Sequence, residues 1–321
     1  MKPLIIAHRG ASHVAPENTI AAFRAAHTEG ADGIETDVQL TLDGKMVMHH
    51  NYSIDANSNG HGLVSQMTEE EVRQYDFGSW KGPEFAGEKI PTLAECLEAC
   101  KDFQVINIEL KAPMSQDVNY VEQVAREIRK SGLQDRIIVS AFDHTLLRQM
   151  KQLAPDVKVG TLTMESLAAS PLVAAAQHFL PMDVPIACIP LDDVELPPAA
   201  LDSLNALNIP GADPKAILKE MLSGVGTMFP GATVREVLSQ LQRQRDLVGY
   251  MQELDFRPEY LHCEYASCLR DPQLIEKVHK LGIGVNPWTV DAEADMRALI
   301  PMGPDGIITN RPDLLKAILT E

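Results

Sequence analysis

Two carboxylates, Glu35 and Asp37, interrupt an otherwise strand-like stretch at residues 30–38. Successive side chains of a strand point to opposite faces, so these two acids project to the same side. Like charges on an interior wall repel each other and lose hydration, so their burial requires a nearby cation. We therefore predict a divalent metal ion here. For an isolated acid pair, an exposed strand facing water would be the better interpretation, and the other polar residues of the chain decide between the two.

The remaining candidates are polar residues at the ends of other predicted strands: His8, Arg9, His50, Glu109 and Lys111. Glu109 adds a third carboxylate, and three oxygen donors favour a hard cation, Ca²⁺, Mg²⁺ or Mn²⁺, over zinc. Arg9 and Lys111 offer donors for the oxygens of an anionic phosphoryl group. His8 and His50 titrate near neutrality and could serve as acid and base on either side of a P–O bond. Together these residue types predict a phosphodiesterase.

Eight strand and helix units can position these residues. The unit strands begin near residues 4, 33, 105, 137, 158, 260, 284 and 306, with a hairpin return at 45–50 set aside. Repeated alternation of strands and helices indicates a parallel sheet. Eight such units predict an α/β fold, the closed (β/α)8 barrel of the triosephosphate isomerase (TIM) type, whose active site lies at the C-terminal strand ends.

One barrel domain is expected over residues 1–321, with two additions. Residues 51–91 are rich in Gly, Asn and Ser and predict a small insertion over the active-site mouth. One short helix is expected in it near residues 68–74, capped by Thr68 and Glu71. Between the fifth and sixth barrel strands, proline-rich joints separate helical pieces, and residues 183–230 are expected to form a larger helical insertion atypical of the family described below. The longest of these helices is predicted over 233–254. This insertion could be a lid, a specificity element, a subunit contact or a structural embellishment.

Composition excludes several classes of partner. With 28 basic and 45 acidic residues the net charge is −17, which repels polyanions, so we expect no nucleic acid partner and no binding to anionic membranes. The apolar run at residues 4–7 is too short for a signal or membrane segment, which predicts a cytoplasmic location without stable membrane insertion. Five irregularly spaced cysteines favour buried thiols in a reducing compartment. The sequence is compatible with a homo-oligomer as well as with a monomer.

In this order, the motifs of the chain resemble the glycerophosphodiester phosphodiesterase family. The matching residues are His8-Arg9-Gly10, Pro16-Glu17-Asn18-Thr19, Gly30-Ala31-Asp32, Glu35-x-Asp37-Val38, Thr41-x-Asp43-Gly44 leading to His50, Glu109-x-Lys111, Trp288-Thr289-Val290 and Asp305-Gly306-Ile307-Ile308-Thr309. Each motif is weak alone, but the ordered set is specific and spans nearly the whole chain apart from its middle.

The resemblance implies hydrolysis of a small glycerophosphodiester to sn-glycerol 3-phosphate and an alcohol, with one divalent cation. Carried over position by position, it implies Glu35, Asp37 and Glu109 as metal ligands, His8 and His50 as the acid/base pair, and Arg9 and Lys111 as phosphate ligands. Trp288, an aromatic residue at the end of the seventh barrel strand, could pack on the carbons of glycerol. Filling of the core is the alternative for Trp288.

Choosing His50 rather than His49 depends on alignment with the segment that follows. Counting back from Asn59-Gly60, which resembles the family's segment after its His-Asp pair, places His50 at the catalytic position. Asn51 then stands where the family usually has Asp, and Asn310 replaces another common Asp. Asparagine keeps the hydrogen-bonding shape of aspartate but loses its charge.

Two other functions use the same residues. A lysophospholipase D or sphingomyelinase D-like enzyme would act on a lipid and need an apolar groove, and no exposed hydrophobic stripe is evident in the sequence. A non-catalytic ligand-binding barrel would keep the pocket without turnover, in line with Asn51. A glycosidase would use paired carboxylates but has no need for Arg9 and Lys111. His262 and Glu264 could reach the pocket rim or pack in the core.

Overall fold

The computed structural model of the chain describes residues 2–113, 119–189, 196–205, 213–229 and 231–321. The chain divides into two compact units. The barrel unit comprises Met1–Pro113, Asp117–Leu162 and Asp255–Glu321, and the helical unit comprises Met114–Gln116 and Thr163–Leu254.

The barrel unit is built on one sheet. In the described residues its strands are β1 (Leu4–His8), β2 (Gly33–Leu40), β3 (Met46–Met48), β4 (Val105–Leu110), β5 (Ile137–Ala141), β6 (Lys158–Leu162), β7 (Tyr260–His262), β8 (Gly284–Val285) and β9 (Gly306–Thr309). Their order is β8-β7-β6-β5-β4-β2-β1-β9, all parallel, while β3 pairs antiparallel with β2 as the hairpin return. The sequence prediction of an eight-stranded parallel barrel is confirmed.

Backbone hydrogen bonds beyond the paired strands bring the two ends of the sheet together. The amide of Asp305 donates to the carbonyl oxygen of Val285 at 3.0 Å, and that of Ile308 donates to Pro287 at 3.0 Å. The regular strand β8 begins at residue 284 as predicted but is only two residues long. Its backbone pairing nevertheless continues past its end, because the amide of Trp288 donates to Cys263.

Helices follow most strands and cover the outside of the sheet. The helices of the barrel unit are α1 (Ile20–Thr28), α2 (Glu69–Val72), α3 (Leu93–Ala99), α4 (Tyr120–Ser131), α5 (His144–Leu153), α12 (Tyr265–Arg270), α13 (Leu274–His279), α14 (Glu293–Leu299) and α15 (Pro312–Thr320). In α4, Val121, Val124 and Ile128 share one buried stripe with the spacing of an amphipathic helix. These side chains join the core that also contains Ile34 and Val38 from the outer face of β2.

Residues 51–91 form a compact excursion with an apolar centre of their own. Ile54, Val64, Val72 and Phe77 are buried together there. The short helix predicted near Thr68 is present as α2 and begins with a capping box made by Thr68 and Glu71. Two contacts join the excursion to loops at the C-terminal strand ends: Tyr52 donates to the carbonyl of Ala112, and Lys81 to that of Ser12.

The helical unit contains α6 (Glu165–Ala168), α7 (Pro171–Ala176), α8 (Pro198–Asn205), α9 (Pro214–Met228), α10 (Val234–Arg243) and α11 (Leu247–Glu253) among its described residues. The prediction of one helix over 233–254 is wrong. Asp246 caps α11 by accepting a hydrogen bond from the amide of Gly249, and buried Gln244 accepts one from the amide of Met164. A new cap three residues after α10 ends therefore breaks the chain into two helices.

The predicted insertion over 183–230 falls within this unit, and its residues 190–195, 206–212 and 230 lie outside the described residues. No helix in the described ranges has both the length and the apolar character needed to cross a membrane.

Candidate active site

The sheet register places the predicted residues side by side at the C-terminal strand ends. His8 at the end of β1 pairs with Glu35 of β2, and Asp37 of β2 pairs with Glu109 of β4. Because strands β1, β2 and β4 are adjacent and parallel, these side chains share one mouth of the barrel.

Glu35, Asp37 and Glu109 form a buried carboxylate cluster. One oxygen from each lies within 4.8 Å of the others, and the three residues are 5%, 0% and 8% exposed. Lys111 lies among them, with its Nζ 2.7 Å from Oε1 of Glu109 and 3.3 Å from Oδ1 of Asp37. The three acids and the lysine predicted from the sequence are thus brought together.

The pKa values of the three carboxyl groups in the cluster are shifted in different directions. Burial, reinforced by the charges of Asp37 and Glu109, raises the pKa of Glu35 well above its usual value. Burial likewise raises the pKa of Glu109 to about 7, although Lys111 opposes the shift. Burial alone would raise the pKa of Asp37, but Lys111, His50 and Arg9 outweigh it and hold this pKa below its usual range.

The donor set fits a hard divalent cation. All three candidate ligands offer carboxylate oxygens, which Ca²⁺ and Mg²⁺ prefer. Oδ1 of Asp37 is buried and makes an ion pair with Lys111 at 3.3 Å, but it accepts no hydrogen bond of good geometry within the described part of the chain, so it keeps a lone pair for an ion. The cluster could therefore hold a metal.

Arg9 is fixed beside the cluster by several carboxylates. Its Nη1 lies 3.0 Å from Oε1 of Glu17, its Nε lies 3.6 Å from Oδ2 of Asp37, and its backbone amide donates to Oε2 of Glu35. Although burial opposes the charge, Asp37, Glu17 and Glu35 together raise the pKa of the guanidinium. With Lys111, Arg9 supplies a second cationic donor at the same mouth.

Asn18 is a site residue to which the sequence assigned no role. Its Nδ2 donates to Oδ2 of Asp37 at 2.8 Å, and its Oδ1 accepts from the hydroxyl of Thr36 and the amide of Asp37. Asn18 has a φ of 57°, in the left-handed region that asparagine tolerates better than most residues. The Pro16-Glu17-Asn18-Thr19 motif could have pointed to Asn18. Thr19 alone caps α1, so the helix does not require an asparagine before it, and its presence there suggests another role.

Each predicted catalytic histidine has an asparagine on its Nδ1 side. Nδ1 of His8 lies 2.7 Å from Oδ1 of Asn310, and Nδ1 of His50 lies 2.9 Å from Oδ1 of Asn51. Nε2 of His8 is 3.8 Å from Oε2 of Glu35. Burial, with help from Arg9, lowers the pKa of His8 to about 4.

The two adjacent histidines of the hairpin occupy different surroundings. Burial and the positive charge of Lys111 lower the pKa of His50 well below its usual value, and its Nδ1 lies against Asn51. His49 lies instead against the excursion, with its ring edge-to-face on Phe77 and its Nε2 3.3 Å from the carbonyl oxygen of Ser53.

Trp288 and His262 lie on the other side of the barrel, near β7. The half-buried Trp288 donates from Nε1 to the carbonyl of His262 and packs edge-to-face against Phe142, with ring centroids 5.7 Å apart. His262 is fully buried between the amides of Asn107 and Asn286, at 3.5 and 3.2 Å. Of the two alternatives for His262, the structure places it in the barrel core.

Comparisons with known proteins agree with this architecture. The model of the glycerophosphoryl diester phosphodiesterase family matches residues 8–184 and 221–314. The unmatched segment between them lies within the predicted helical insertion. A glycerophosphodiester phosphodiesterase of Caldanaerobacter subterraneus subsp. tengcongensis is 32% identical over 98% of this chain and 97% of its own length. The chain therefore belongs to the glycerophosphoryl diester phosphodiesterase family.

Solved structures show the same fold at lower identity. A phosphodiesterase of Oleispira antarctica, determined with the product sn-glycerol-3-phosphate, superposes with a TM-score of 0.63 at 22% identity, covering 100% of this chain and 98% of its own. A glycerophosphodiester phosphodiesterase of Agrobacterium tumefaciens gives a TM-score of 0.64 at 22% identity, covering 99% and 100%.

Proposed function

We propose that this protein hydrolyses glycerophosphodiesters to sn-glycerol 3-phosphate and an alcohol, with a divalent cation held by Glu35, Asp37 and Glu109. The observation that carries the proposal is the convergence of three buried carboxylates on adjacent strands at the mouth of the barrel. Family membership supports the substrate class, as do the name of the full-length relative and the product bound to the Oleispira enzyme.

In this mechanism Arg9 and Lys111 bind the phosphate oxygens, and the reaction moves two protons through the histidines. A bound divalent cation would supply Lewis acidity, neutralising charge on the phosphate and lowering the pKa of a hydroxyl. One of His8 and His50 takes the proton of the attacking hydroxyl, and the other gives a proton to the departing alkoxide. If water is the nucleophile, glycerol 3-phosphate forms directly; if a glycerol hydroxyl is, water then opens the resulting cyclic phosphate. Because the surroundings lower both imidazole pKa values, the negative phosphate is needed beside the acid partner to raise its pKa.

The test is an assay with Ca²⁺, Mg²⁺, Mn²⁺ or a chelator that measures the alcohol and the glycerol 3-phosphate released from several glycerophosphodiesters. For a lysophospholipid it measures the released alcohol, because the other product keeps its acyl chain. We expect metal-dependent release from glycerophosphodiesters and loss of it in Glu35→Gln and Glu109→Gln. The matched control is Glu29→Gln, which removes a carboxylate from the separate His13, Glu29 and Asp313 cluster and should keep activity. Faster cleavage of the lysophospholipid, or binding without turnover, would contradict the proposal.

The adjacent histidines offer a second control. His8→Asn and His50→Asn should each lower kcat by about 10²–10⁴, the usual contribution of a positioned proton-transfer group. His49→Asn should lower stability but leave kcat within about tenfold of the wild type, because His49 packs on Phe77 rather than in the site. Equal losses in the His49 and His50 variants would remove His50 from its assigned role.

A further inference from the structure

The Nδ1 side of His8 is closed by a relay of two residues distant in sequence. Oδ1 of Asn310, the residue after β9, lies 2.7 Å from Nδ1 of His8. Nδ2 of the same asparagine donates to Oδ2 of Asp291 at 2.6 Å, and its backbone amide donates to Oδ1 of Asp291 at 2.8 Å. Asp291 therefore holds both the side chain and the backbone of Asn310.

The chemistry of Asp291 decides how the amide of Asn310 is turned. An ionised carboxylate only accepts hydrogen bonds, so the amide group facing Asp291 must be the NH₂. The oxygen of Asn310 then faces His8, where the hydroxyl of Ser12 also donates to it at 2.7 Å. A flipped amide would set its oxygen against the carboxylate and its NH₂ against the hydroxyl of Ser12, losing the donation to Asp291.

An acceptor oxygen at Nδ1 selects one tautomer of the neutral imidazole. The proton must sit on Nδ1 to donate to Asn310, which leaves the lone pair on Nε2. Nε2 is the nitrogen that faces the carboxylate cluster, 3.8 Å from Oε2 of Glu35. We propose that Asn310, oriented by Asp291, is a positioning residue that keeps the proton of His8 on Nδ1 and its lone pair toward the reacting groups.

This inference rests on the proposed acid/base role of His8. When His8 acts as the base, the O–H bond of the attacking hydroxyl breaks and the new N–H bond forms with the lone pair of Nε2, while the other proton stays on Nδ1, hydrogen-bonded to Oδ1 of Asn310. The relay also explains why asparagine stands here rather than aspartate. A carboxylate at position 310 would lie against Asp291 with no proton to donate, and the two charges would repel.

The asparagine beside His50 is not oriented by a carboxylate. Asn51 presents an oxygen to His50 in the same way, but its Nδ2 contacts Oδ1 of Asn57, a second amide. Because an amide can offer either its oxygen or its nitrogen, Asn57 does not settle the orientation of Asn51 as a carboxylate settles that of Asn310.

The first test is spectroscopic and needs neither substrate nor metal. Two-bond ¹H–¹⁵N correlations of the full chain labelled at histidine distinguish the two tautomers, with the His8 signals assigned by their loss in His8→Asn. We expect the Nδ1–H form in the wild type and a gain of the Nε2–H form in Asn310→Ala. A wild type in the Nε2–H form, or an unchanged tautomer in the variant, would overturn the proposal even if the enzyme proves inactive on every diester.

The second test separates positioning from folding. Asn310→Ala should lower kcat by about 10-fold to 100-fold, the usual effect of losing a residue that orients a ligand or catalytic group, with KM nearly unchanged. Asn310→Asp should lose activity too, whereas the exchange Asp291→Asn with Asn310→Asp should recover most of kcat, because donor and acceptor are restored with reversed identities. Failure of the exchange to exceed Asn310→Asp would count against the relay.

Thr309→Val provides the matched control. Its hydroxyl donates to Oδ1 of Asp291 at 3.2 Å but does not contact His8. This variant weakens the surroundings of Asp291 while leaving the relay intact, so kcat and the tautomer of His8 should stay as in the wild type. A loss equal to that of Asn310→Ala would show that general packing, and not the relay, controls the site.

Discussion

Asn18 illustrates how a single uncharged side chain organises the charges of this site. It satisfies one oxygen and the amide of Asp37 and ties both to the hydroxyl of Thr36. With Oδ2 bound to Asn18, Oδ1 of Asp37 faces the cluster, where it is paired with the ammonium of Lys111 at 3.3 Å but accepts no hydrogen bond of good geometry among the described residues. In the proposed metal site, a residue remote from the proton chemistry would therefore determine which oxygen of Asp37 binds the cation.

We expect Asn18→Ala to weaken Ca²⁺ or Mg²⁺ binding by about 10-fold to 100-fold, because residues that orient metal ligands have effects of this size. Unfolding in urea should show a loss of about 1–3 kcal/mol, since the polar groups of Asp37 and Thr36 lose a buried partner. Thr36→Val is the control, because it removes one hydroxyl but leaves the bond from Asn18 to Asp37. Calorimetric titration giving equal metal affinity in Asn18→Ala and the wild type would refute the assignment.

Metal binding should also release protons. The pKa of Glu109 is raised to about 7, so below pH 7 this carboxyl group holds a proton that a cation must displace. Burial shifts the pKa of Glu35 in the same direction. Apparent affinity should therefore increase as the pH rises from 6 to 8. Calorimetry in two buffers of different ionisation enthalpy measures the released protons, and Glu109→Gln should reduce their number. Binding without proton release at pH 6 would contradict these shifts.

At the scale of elements, the turn after β1 positions both His8 and Arg9. Gly10 has a φ of 79°, and a Cβ built on it would lie 2.6–2.8 Å from backbone and side-chain atoms of Ala22 in α1. Only glycine fits both the left-handed backbone and this close approach. The packing of α1 against the turn thus sets where β1 delivers its polar residues.

Gly10→Ala should therefore destabilise the protein more than Gly44→Ala. Gly44 has a similar φ of 74°, but nothing lies within 4 Å of a Cβ built there. Gly44→Ala should cost about 1–2 kcal/mol for its left-handed backbone alone, and Gly10→Ala a further 1–3 kcal/mol or so for the clash with α1. Urea unfolding of both variants measures the difference. Equal urea midpoints would show that α1 moves away from the added methyl group without loss of stability.

Across the whole molecule, several histidines are buried in their neutral form. Burial lowers the pKa of His262 to about 3 and that of His49 to about 4, against an ordinary value of 6.5. Below pH 6.5 the unfolded chain binds these protons while the folded chain does not, so acid favours unfolding. The stabilising contribution is complete above pH 6.5 and declines as the pH falls toward the folded-state values.

His262 should account for about 2 kcal/mol of lost stability between pH 6.5 and 5, at about 1.4 kcal/mol per pH unit. Urea unfolding at both pH values should show a smaller loss in His262→Gln than in the wild type. His61→Gln is the control, because the side chain of His61 is 87% exposed and the variant therefore removes no buried imidazole. An identical pH dependence in His262→Gln and the wild type would contradict the buried neutral histidine.

Local periodicity was enough to predict much of the molecule. Alternation along β2 placed Glu35 and Asp37 on one wall, and capping residues located α2. Counting the strand units predicted the barrel, and the order of short motifs identified the family. These features depend on neighbours a few residues apart or on their order, both of which can be read directly from the chain.

Only the tertiary structure decided which distant residues meet. Closure of the barrel brings Asn310 to His8 across 302 positions of sequence, and strand register pairs Asp37 with Glu109. The same closure buries His262 in the core, where the sequence left rim and core equally open. The break between α10 and α11 was missed because a cap at Asp246 and a buried contact of Gln244 outweigh a continuous helical pattern. Local spacing fixes the direction of a side chain, whereas its partners are set by how the whole sheet closes.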